Sequence, residues 1–325
     1  MSDRTLDDNA AIYLVGGGIA SLAAAAFFIR DGDIPGRNIT VLEESGKIGG
    51  SLDAAGTAEA GYIMRGGRMI ENKYLCTYDL FSSIPTLDES KTVTQEIFDW
   101  NETMKTSSKS RLFRDGQRVS APKLGLSEKH ILTIERLELE PEGMLGRSSI
   151  ADQFDASFFE TDFWFMWCTT FAFQAWHSAV EFKRYLVRFT HMVSGFNTLA
   201  GTMRTVYNQY DSMVRPLQKW LLERGVKFSF DTCVTDLGLR QEGKDLFVDG
   251  LVCEHHGQVE EIEVNKQDFV VVTLGSMTES SSFGSMDAAP VLNAKPNVTS
   301  PSFCTTANER VYITDRTGFF VPTLG

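Results

Sequence analysis

Apolar and polar positions near the start of the chain follow the order of a strand, a turn, a helix and a second strand. Residues 11–15 are an apolar run that ends in the glycines at 16–18, and an alanine-rich stretch follows at residues 19–30. A buried strand that turns sharply into a helix accounts for this order. A second apolar strand, residues 38–42, ends at Glu43. The pattern therefore predicts a βαβ unit.

The glycine turn has the chemistry of an anion site. Glycines allow a tight turn and close approach of a pyrophosphate, and the unpaired N–H groups at a helix start supply positive potential. Glu43 stands where an acidic residue accepts the ribose hydroxyls of an adenine dinucleotide. Ser21 holds the third position of the G-x-G-x-x-G pattern, where glycine or alanine is usual. Dinucleotide binding is favoured, with an ordinary βαβ turn as the alternative.

Further stretches extend the predicted cofactor site. The pair Gly49 and Gly50 after Glu43 is typical of glutathione-reductase-like flavoproteins, which favours FAD over NAD, and the acidic residue argues against NADP. Residues 65–68 form a cationic glycine turn that suits either an anionic or planar cofactor or a solvated loop. The complete predicted set is Gly16, Gly18, Ser21, Glu43, Gly50, Ser51, Arg65, Gly66, Gly67, Arg68, Thr273, Gly275 and Ser276.

Periodicity predicts the remaining elements. Residues 51–62 are read as a small-residue loop, and the dipeptide Asp115-Gly116 as the turn of a hairpin. A helix is predicted to start at the Ser127 cap. The other predicted helices lie at residues 74–84 and 216–224, with two or three more within 154–192, and the predicted strands lie at residues 226–230, 233–237, 246–253, 259–264 and 269–273.

The aromatic stretch at residues 163–176 is too short to span a membrane. It predicts a buried helix, with the lining of a lipid tunnel or contact with a bilayer surface as alternatives. Tyr185 shares one helical face with Phe182 and Phe189, where it is either a general acid or a core tyrosine with a satisfied hydroxyl. His177 and His191 are each interpreted as structural.

Composition narrows the function classes. The 325 residues are enough for two domains or one large core. With 31 basic and 43 acidic residues the net charge is −12, so no nucleic-acid partner is expected. The polar, acidic start has no apolar core of a secretory signal, which predicts a cytoplasmic protein. Five cysteines without C-x-x-C spacing predict reduced thiols and no metal site.

Six segments of the chain, taken in order, form a specific set: VGGGIASLAAA, VLEESGKIGGSLD, RGGRMIENKYLCTYDLFSSIPTLD, FWFMWCTTFAFQAWHSAVEFKRYLVRF, YNQYDSM and VVVTLGSMTESSSFGS. In this set the chain resembles the oleate (fatty-acid) hydratases, also called the myosin-cross-reactive antigen family. The resemblance spans residues 11–285. It implies an FAD-dependent lyase that hydrates the cis double bond of a free unsaturated fatty acid, converting oleate to 10-hydroxystearate without net redox change at the flavin.

The resemblance also implies catalytic roles. The proton donor of the family is a tyrosine in an F-[KR]-R-Y motif, which falls on Tyr185. The acid that activates water is the glutamate of an R-G-G-R-E loop, where this chain has Met69, whose thioether lacks a basic lone pair for that task. Glu71, two positions on, is the remaining catalytic candidate in this loop. Hydration is therefore expected to be impaired unless Glu71 substitutes.

The expected fold class is α/β: a glutathione-reductase-like FAD-binding (Rossmann-type) domain with an inserted helical substrate domain. The expected bounds are 1–105 and 201–285 for the FAD-binding domain, 106–200 for the insertion and 286–325 for an atypical tail. Because the family continues for about as many residues again, a truncated or degenerate hydratase is anticipated. Another FAD-dependent oxidoreductase and a non-catalytic flavin- or lipid-binding remnant stay open, as do peripheral membrane contact and a homodimer.

Overall fold

The structure is a computed structural model that describes residues 9–52, 54–59, 61–64, 69–109, 112–119, 124–243, 245–273, 284–285, 287–291 and 320–321. The chain divides into two compact units. Unit 1 contains Met1–Arg68, Tyr74–Trp100 and Arg204–Gly325, and unit 2 contains Met69–Lys73 and Asn101–Met203. Along the chain, the larger part of unit 2 is thus an insertion between two parts of unit 1.

Parallel strands form the centre of unit 1. The strands of this unit are β1 (Ile12–Val15), β2 (Ile39–Leu42), β3 (Ala54–Thr57), β4 (Gly61–Met64), β9 (Lys227–Ser229), β10 (Thr232–Glu242), β11 (Asp245–His255), β12 (Gln258–Glu263), β13 (Phe269–Val272) and β14 (Phe320–Val321). One sheet has the order β14-β13-β1-β2-β9, and all its neighbours are parallel except β14, which is antiparallel to β13. Because β1 has parallel neighbours on both sides, its sequence IYLV is a continuous apolar run.

Helix α1 packs on this sheet with a face of mostly small residues. The helices that begin in unit 1 are α1 (Ile19–Arg30), α2 (Leu75–Ser82), α3 (Val93–Thr103) and α8 (Arg215–Glu223), the last preceded by a π-helical turn at Tyr210–Val214. In α1, the buried positions Ser21, Leu22, Ala25 and Ala26 recur at helical spacing, which marks the face toward the sheet. Small side chains allow the helix to approach β1 closely, and α2 and α8 pack against α1 in turn.

A three-stranded antiparallel meander, β10-β11-β12, covers other side chains of the same sheet. The shared core joins residues of both sheets: Val15, Leu42, Val270 and Val272 from the parallel strands, with Leu237, Val248, Leu251, Cys253 and Val264 from the meander and the residue after it. Tyr13 packs against this core too. Ile12 and Leu14 alternate with Tyr13 along β1, so their side chains lie on the opposite face of the sheet, where they are fully buried. Both faces of β1 are therefore covered.

Unit 2 is mostly helical and has an aromatic core. The elements that lie in it are β5 (Ile70–Glu71) paired with β8 (Thr202–Met203), the hairpin β6 (Leu112–Arg114) with β7 (Gln117–Val119), α4 (Glu128–Leu139), α5 (Glu142–Leu145), α6 (Asp162–Phe171), α7 (Ala179–Phe189) and 3-10 turns at Ala156–Glu160 and Thr190–Gly195. The buried aromatic side chains are Phe154, Phe158, Phe163, Trp164, Trp167, Phe173, Phe182, Phe189 and Phe196. Among the described residues, no helix has the length and apolar character that crossing a membrane requires.

Several sequence predictions are confirmed. The α/β, Rossmann-type class holds, with a parallel sheet and a mostly helical insertion. Asp115 and Gly116 form the turn between β6 and β7. Both have positive φ (52° and 72°), as the type I′ turn of a two-residue hairpin loop requires. Ser127 caps α4: its hydroxyl accepts the N–H of His130, and the His130 ring accepts the N–H of Ser127.

Other predictions were wrong. Residues 51–62 are not a plain loop, because β3 and β4 pair there, and a Cβ at Gly56 would fall 2.0 Å from the Gly61 carbonyl oxygen. Helix α3 was not predicted. The aromatic helix α6 ends at Phe171, because Ala172 adopts the left-handed conformation, so the predicted buried helix does not extend to Trp176, which is 74% exposed.

Lys183 on α7 closes the end of α4. Its Nζ donates hydrogen bonds to the carbonyl oxygens of Leu137 (2.7 Å), Glu138 (2.8 Å) and Glu140 (2.7 Å). The last carbonyls of a helix have no partner within the helix, and a cation is favoured at this end of the helix dipole. The side chain is only 9% exposed, so solvent cannot easily replace it.

We expect Lys183→Met to lower the free energy of unfolding by about 3 kcal/mol, since one charged donor and three satisfied carbonyls are lost together. Chemical denaturation measures the change. Lys129→Met is the matched control, because Lys129 lies in the same unit and forms an exposed ion pair with Asp155. Its cost should stay below about 1 kcal/mol. Equal effects of the two substitutions would contradict the capping role.

Candidate functional site

In unit 1, the predicted cofactor site begins where β1 meets the strand ends beside it. Gly16 has φ +87°, and a Cβ there would lie 2.6 Å from the Thr273 Oγ1. Its N–H donates to the Leu42 carbonyl oxygen (2.8 Å). The Thr273 N–H and hydroxyl both donate to the Val15 carbonyl oxygen (3.0 and 2.8 Å). The position therefore needs glycine for both its backbone conformation and its close contact.

Gly18 leaves open space in front of α1. It is the N-cap residue of the helix, with φ −71° and ψ 171°, and no side chain of a described residue caps the helix start. A Cβ at Gly18 would meet no heavy atom within 4 Å. The N–H groups of a first helical turn lack partners within the helix. This arrangement of open space, helix start and glycine fits the pyrophosphate of a dinucleotide.

Glu43 follows β2 and is held beside the glycine turn. Its Oε2 accepts the Gly17 N–H at 2.6 Å, and its Oε1 accepts the Ser45 N–H at 2.9 Å and hydroxyl at 2.7 Å. A carboxylate has about four acceptor positions, so these three bonds orient it and leave capacity for a ribose hydroxyl. Gly17 lacks room for a side chain, because a Cβ would lie 2.8 Å from that Oε2.

The second glycine pair adjoins the first turn. The Gly49 N–H donates to the Gly17 carbonyl at 2.9 Å, and Gly18 and Gly49 form an isolated parallel bridge. Gly50 has φ +53°, and a Cβ there would lie 3.2 Å from the Cα of Gly18. Ser51 is half-buried in the 3-10 turn that Gly50 begins. The structure thus brings Gly16, Gly18, Glu43, Gly50 and Thr273 together.

Ser21 has a role inside the fold. It is fully buried, and its hydroxyl lies 3.2 Å from the Thr273 Oγ1, which joins α1 to the end of β13. In the glycine pattern this position serves close packing of helix on strand, and here a hydroxyl pair provides that contact. A direct role of Ser21 in cofactor binding stays a prediction, through its backbone N–H. The other predicted residues, Arg65, Gly66, Gly67, Arg68, Gly275 and Ser276, lie outside the described residues.

In unit 2, Tyr185 lies half-buried among aromatic rings. Its ring centroid is 5.3 Å from that of Phe171, 5.0 Å from Phe173 and 5.6 Å from Phe189. Among the described residues, no hydrogen bond is made by its hydroxyl. Burial, followed by the charge of Glu181, raises the pKa of Tyr185 above its ordinary value of 10.0, and Arg188 opposes the shift. The phenol therefore keeps its proton at neutral pH.

The neighbours of Tyr185 in the F-K-R-Y motif have structural roles. Phe182 is fully buried in the aromatic core, and Lys183 caps α4. Arg184 forms a bidentate ion pair with Glu142, at 3.1 Å through Nε and 2.8 Å through Nη2. These three contacts fix α7 in unit 2. Of the four motif residues, Tyr185 is the one whose polar group, the phenol hydroxyl, belongs to a side chain that lies among aromatic rings.

Glu71 is buried beside His191. Its side chain is 4% exposed, its Oε2 accepts the Lys73 N–H at 3.1 Å, and the same oxygen lies 3.6 Å from the His191 Nε2. The pairing of β5 with β8 places Glu71 opposite Thr202. The sequence interpretation treated His191 as structural and gave no signal for this contact, because the two residues are far apart in the chain. Met69 is partly exposed at the start of the same segment.

Comparisons with known proteins identify the family. A profile of the MCRA family matches residues 9–306. The chain belongs to the MCRA family. The resemblance to the oleate hydratases noted above is therefore confirmed.

Two curated relatives match most of this chain. The oleate hydratase of Streptococcus pyogenes serotype M49 (strain NZ131) is 38% identical over 283 residues, which cover 86% of this chain and 48% of the relative. The linoleate hydratase of Lactiplantibacillus plantarum is 33% identical over 324 residues, 92% of this chain and 57% of the relative. The chain thus spans about half the length of the curated relatives it matches.

Among solved structures, the chain is similar to a CLA-producing fatty acid isomerase from P. acnes. The likeness covers 83% of this chain and 60% of that one, with 15% sequence identity and a TM-score of 0.47. A likeness of this size carries no argument about either fold or function.

Titration of Tyr185 tests its surroundings. We expect the difference in ultraviolet absorbance between the wild type and Tyr185→Phe to titrate with a midpoint above the ordinary pKa of 10.0, because burial disfavours the anion. Tyr62→Phe is the control, since Tyr62 is 79% exposed. A Tyr185 midpoint at or below 10.0 would show that the ring cluster does not shield the phenol.

Proposed function

We propose that this MCRA-family chain hydrates the cis double bond of a free unsaturated fatty acid, such as oleate to 10-hydroxystearate. The observation that carries the proposal is the protonated Tyr185 in its aromatic surrounding, because a donor to an alkene must lie beside a dehydrated hydrocarbon chain. The names of the two relatives support the same substrate class. In this proposal unit 2 binds the fatty acid.

FAD is the proposed cofactor of unit 1. Gly16, Gly18 and Gly50 would admit its pyrophosphate at the start of α1, and Glu43 would accept its ribose hydroxyls. When bound, FAD supplies a planar ring system, and the net hydration leaves its oxidation state unchanged. Contacts from Ser51, Arg65, Gly66, Gly67, Arg68, Gly275 and Ser276 remain proposals, as do a cytoplasmic location, membrane contact and a homodimer.

The chemistry needs two proton transfers. The Tyr185 hydroxyl gives a proton to one alkene carbon, which forms a C–H bond as the π bond breaks. A water oxygen bonds to the other carbon and loses a proton to a base, and that proton restores the phenol. Glu71 is the carboxylate that we propose to assist this base, since the thioether of Met69 cannot accept a proton.

A second candidate is a non-catalytic flavin- or lipid-binding remnant of a hydratase. One observation favours it: methionine stands at position 69, where the resemblance implies the glutamate that activates water. Product analysis separates it from the enzyme.

Hydroxy-acid formation from oleate is the direct test. We expect the FAD-loaded protein to form 10-hydroxystearate, detected by mass spectrometry, and Tyr185→Phe to lower the rate by about a hundred- to ten-thousand-fold through loss of the proton donor. Glu71→Gln should make hydroxy-acid formation slower than in the wild type, and Met69→Glu should make it faster. Tyr62→Phe is the control. If FAD binds but none of these variants nor the wild type forms product, the remnant is the better description.

Gly18→Val tests the cofactor site separately from activity. Its backbone conformation suits a branched residue, and no neighbour lies within 4 Å of the new Cβ, so the variant should keep the thermal stability of the wild type. Its FAD affinity should fall at least about tenfold, because the side chain takes the space of the pyrophosphate. Gly143→Val, also in open space, is the matched control and should keep its affinity. Unchanged FAD binding in Gly18→Val would contradict the site.

A further inference from the structure

The contact between Glu71 and His191 is unusual in its burial. A carboxylate that is 4% exposed loses most of its hydration, and burial of such a charge is costly unless other groups compensate. The Lys73 N–H provides one hydrogen bond, and the His191 Nε2 at 3.6 Å provides a group that can carry positive charge. The pairing of β5 with β8 holds the backbone of Glu71, and the Oε2 of this residue faces the His191 imidazole.

The imidazole has a second nitrogen, Nδ1, and the His191 side chain as a whole is partly exposed. The side chain is 35% exposed. Within the described ranges, the Nδ1 of His191 has no hydrogen-bond partner. A histidine with one nitrogen facing a buried carboxylate and the other available has the arrangement of a general base and its orienting acid. His177 differs, because its Nδ1 accepts the Gln174 N–H at 3.2 Å.

His191 also lies close in the chain to the proposed proton donor. It follows Tyr185 by six positions, where α7 passes directly into the 3-10 turn Thr190–Gly195. Six helical residues rise about 9 Å, so the two residues lie less than two turns apart in one continuous helical stretch. Phe189, between them, packs against Tyr185 and belongs to the same aromatic surface.

We propose that His191 is the base that accepts the proton of the attacking water, and that Glu71 is its positioning residue. This inference rests on the proposed hydration. The water oxygen bonds to carbon while its proton moves to the His191 Nδ1, and Glu71 stabilises the resulting imidazolium. That proton is then returned to the Tyr185 oxygen, directly or through water, so one alkene and one water give one alcohol. No oxidant or reductant is consumed.

The test uses the full chain loaded with FAD and assayed on oleate. His191→Gly should lower kcat for hydroxy-acid formation by about a hundred- to ten-thousand-fold without raising KM, because the base acts only in the reaction. Added imidazole should restore part of the rate in proportion to its concentration, which a purely structural histidine would not show. His177→Gln is the matched control and should keep the wild-type rate. Glu71→Gln should be slow and should not respond to imidazole.

A spectroscopic measurement on the resting protein tests the pair without turnover. In ¹⁵N-labelled histidine spectra, Glu71→Gln should move the ring resonances of His191 and leave those of His177 unchanged. If the wild type forms product but His191→Gly is equally fast, or is slow without rescue by imidazole, the assignment of the base is overturned and hydration stands. If the wild type forms no product, the proposed function itself fails, and the base assignment fails with it.

Discussion

The close approach of Gly16 to Thr273 is the constraint on which unit 1 depends. Only a residue without a side chain can turn the end of β1 over the end of β13 at this distance. That turn brings the Gly17 N–H to the Glu43 carboxylate, which joins the end of β2 to the same point. It also leaves Gly18 with its Cβ direction open, since a Cβ built there would meet no heavy atom of the described residues within 4 Å. Tight packing behind the turn and open space in front of it thus have one cause.

In unit 2, the residues that stabilise α7 are different from the proposed proton donor. On α7, Phe182, Lys183 and Arg184 are each engaged by the core, by carbonyls or by a carboxylate. Their contacts hold the helix, so Tyr185 can remain half-buried among rings although none of the residues that the structure describes forms a hydrogen bond with its hydroxyl. Burial of a phenol is unfavourable when its hydroxyl has no partner, and the stabilising contacts of Phe182, Lys183 and Arg184 offset this cost.

The βαβ unit, the glycine turn and the capped start of α4 could be predicted because each depends on residues near in sequence, such as Gly16 or Ser127. The pairing of β3 with β4 was missed because the alanines and glycine of β3 carry no strand signal, and the short run at residues 62–64 does not by itself indicate a pair. The partner of Glu71 could not be predicted, since the strand pair and the 3-10 turn that bring His191 to it are tertiary features. The role proposed for Tyr185 comes from the family resemblance, because periodicity left it open.

Helix α4 is closed at both ends, by Ser127 and His130 at its start and by Lys183 at its last carbonyls. Each residue of an α-helix turns the chain by about 100° and advances it by about 1.5 Å. Inserting or deleting a single residue would therefore rotate the three carbonyl groups away from the Lys183 ammonium. The exposed side chains of α4 are free to drift over evolutionary time, whereas the number of its residues is not. In this region, sequence divergence should appear as substitutions and rarely as gaps.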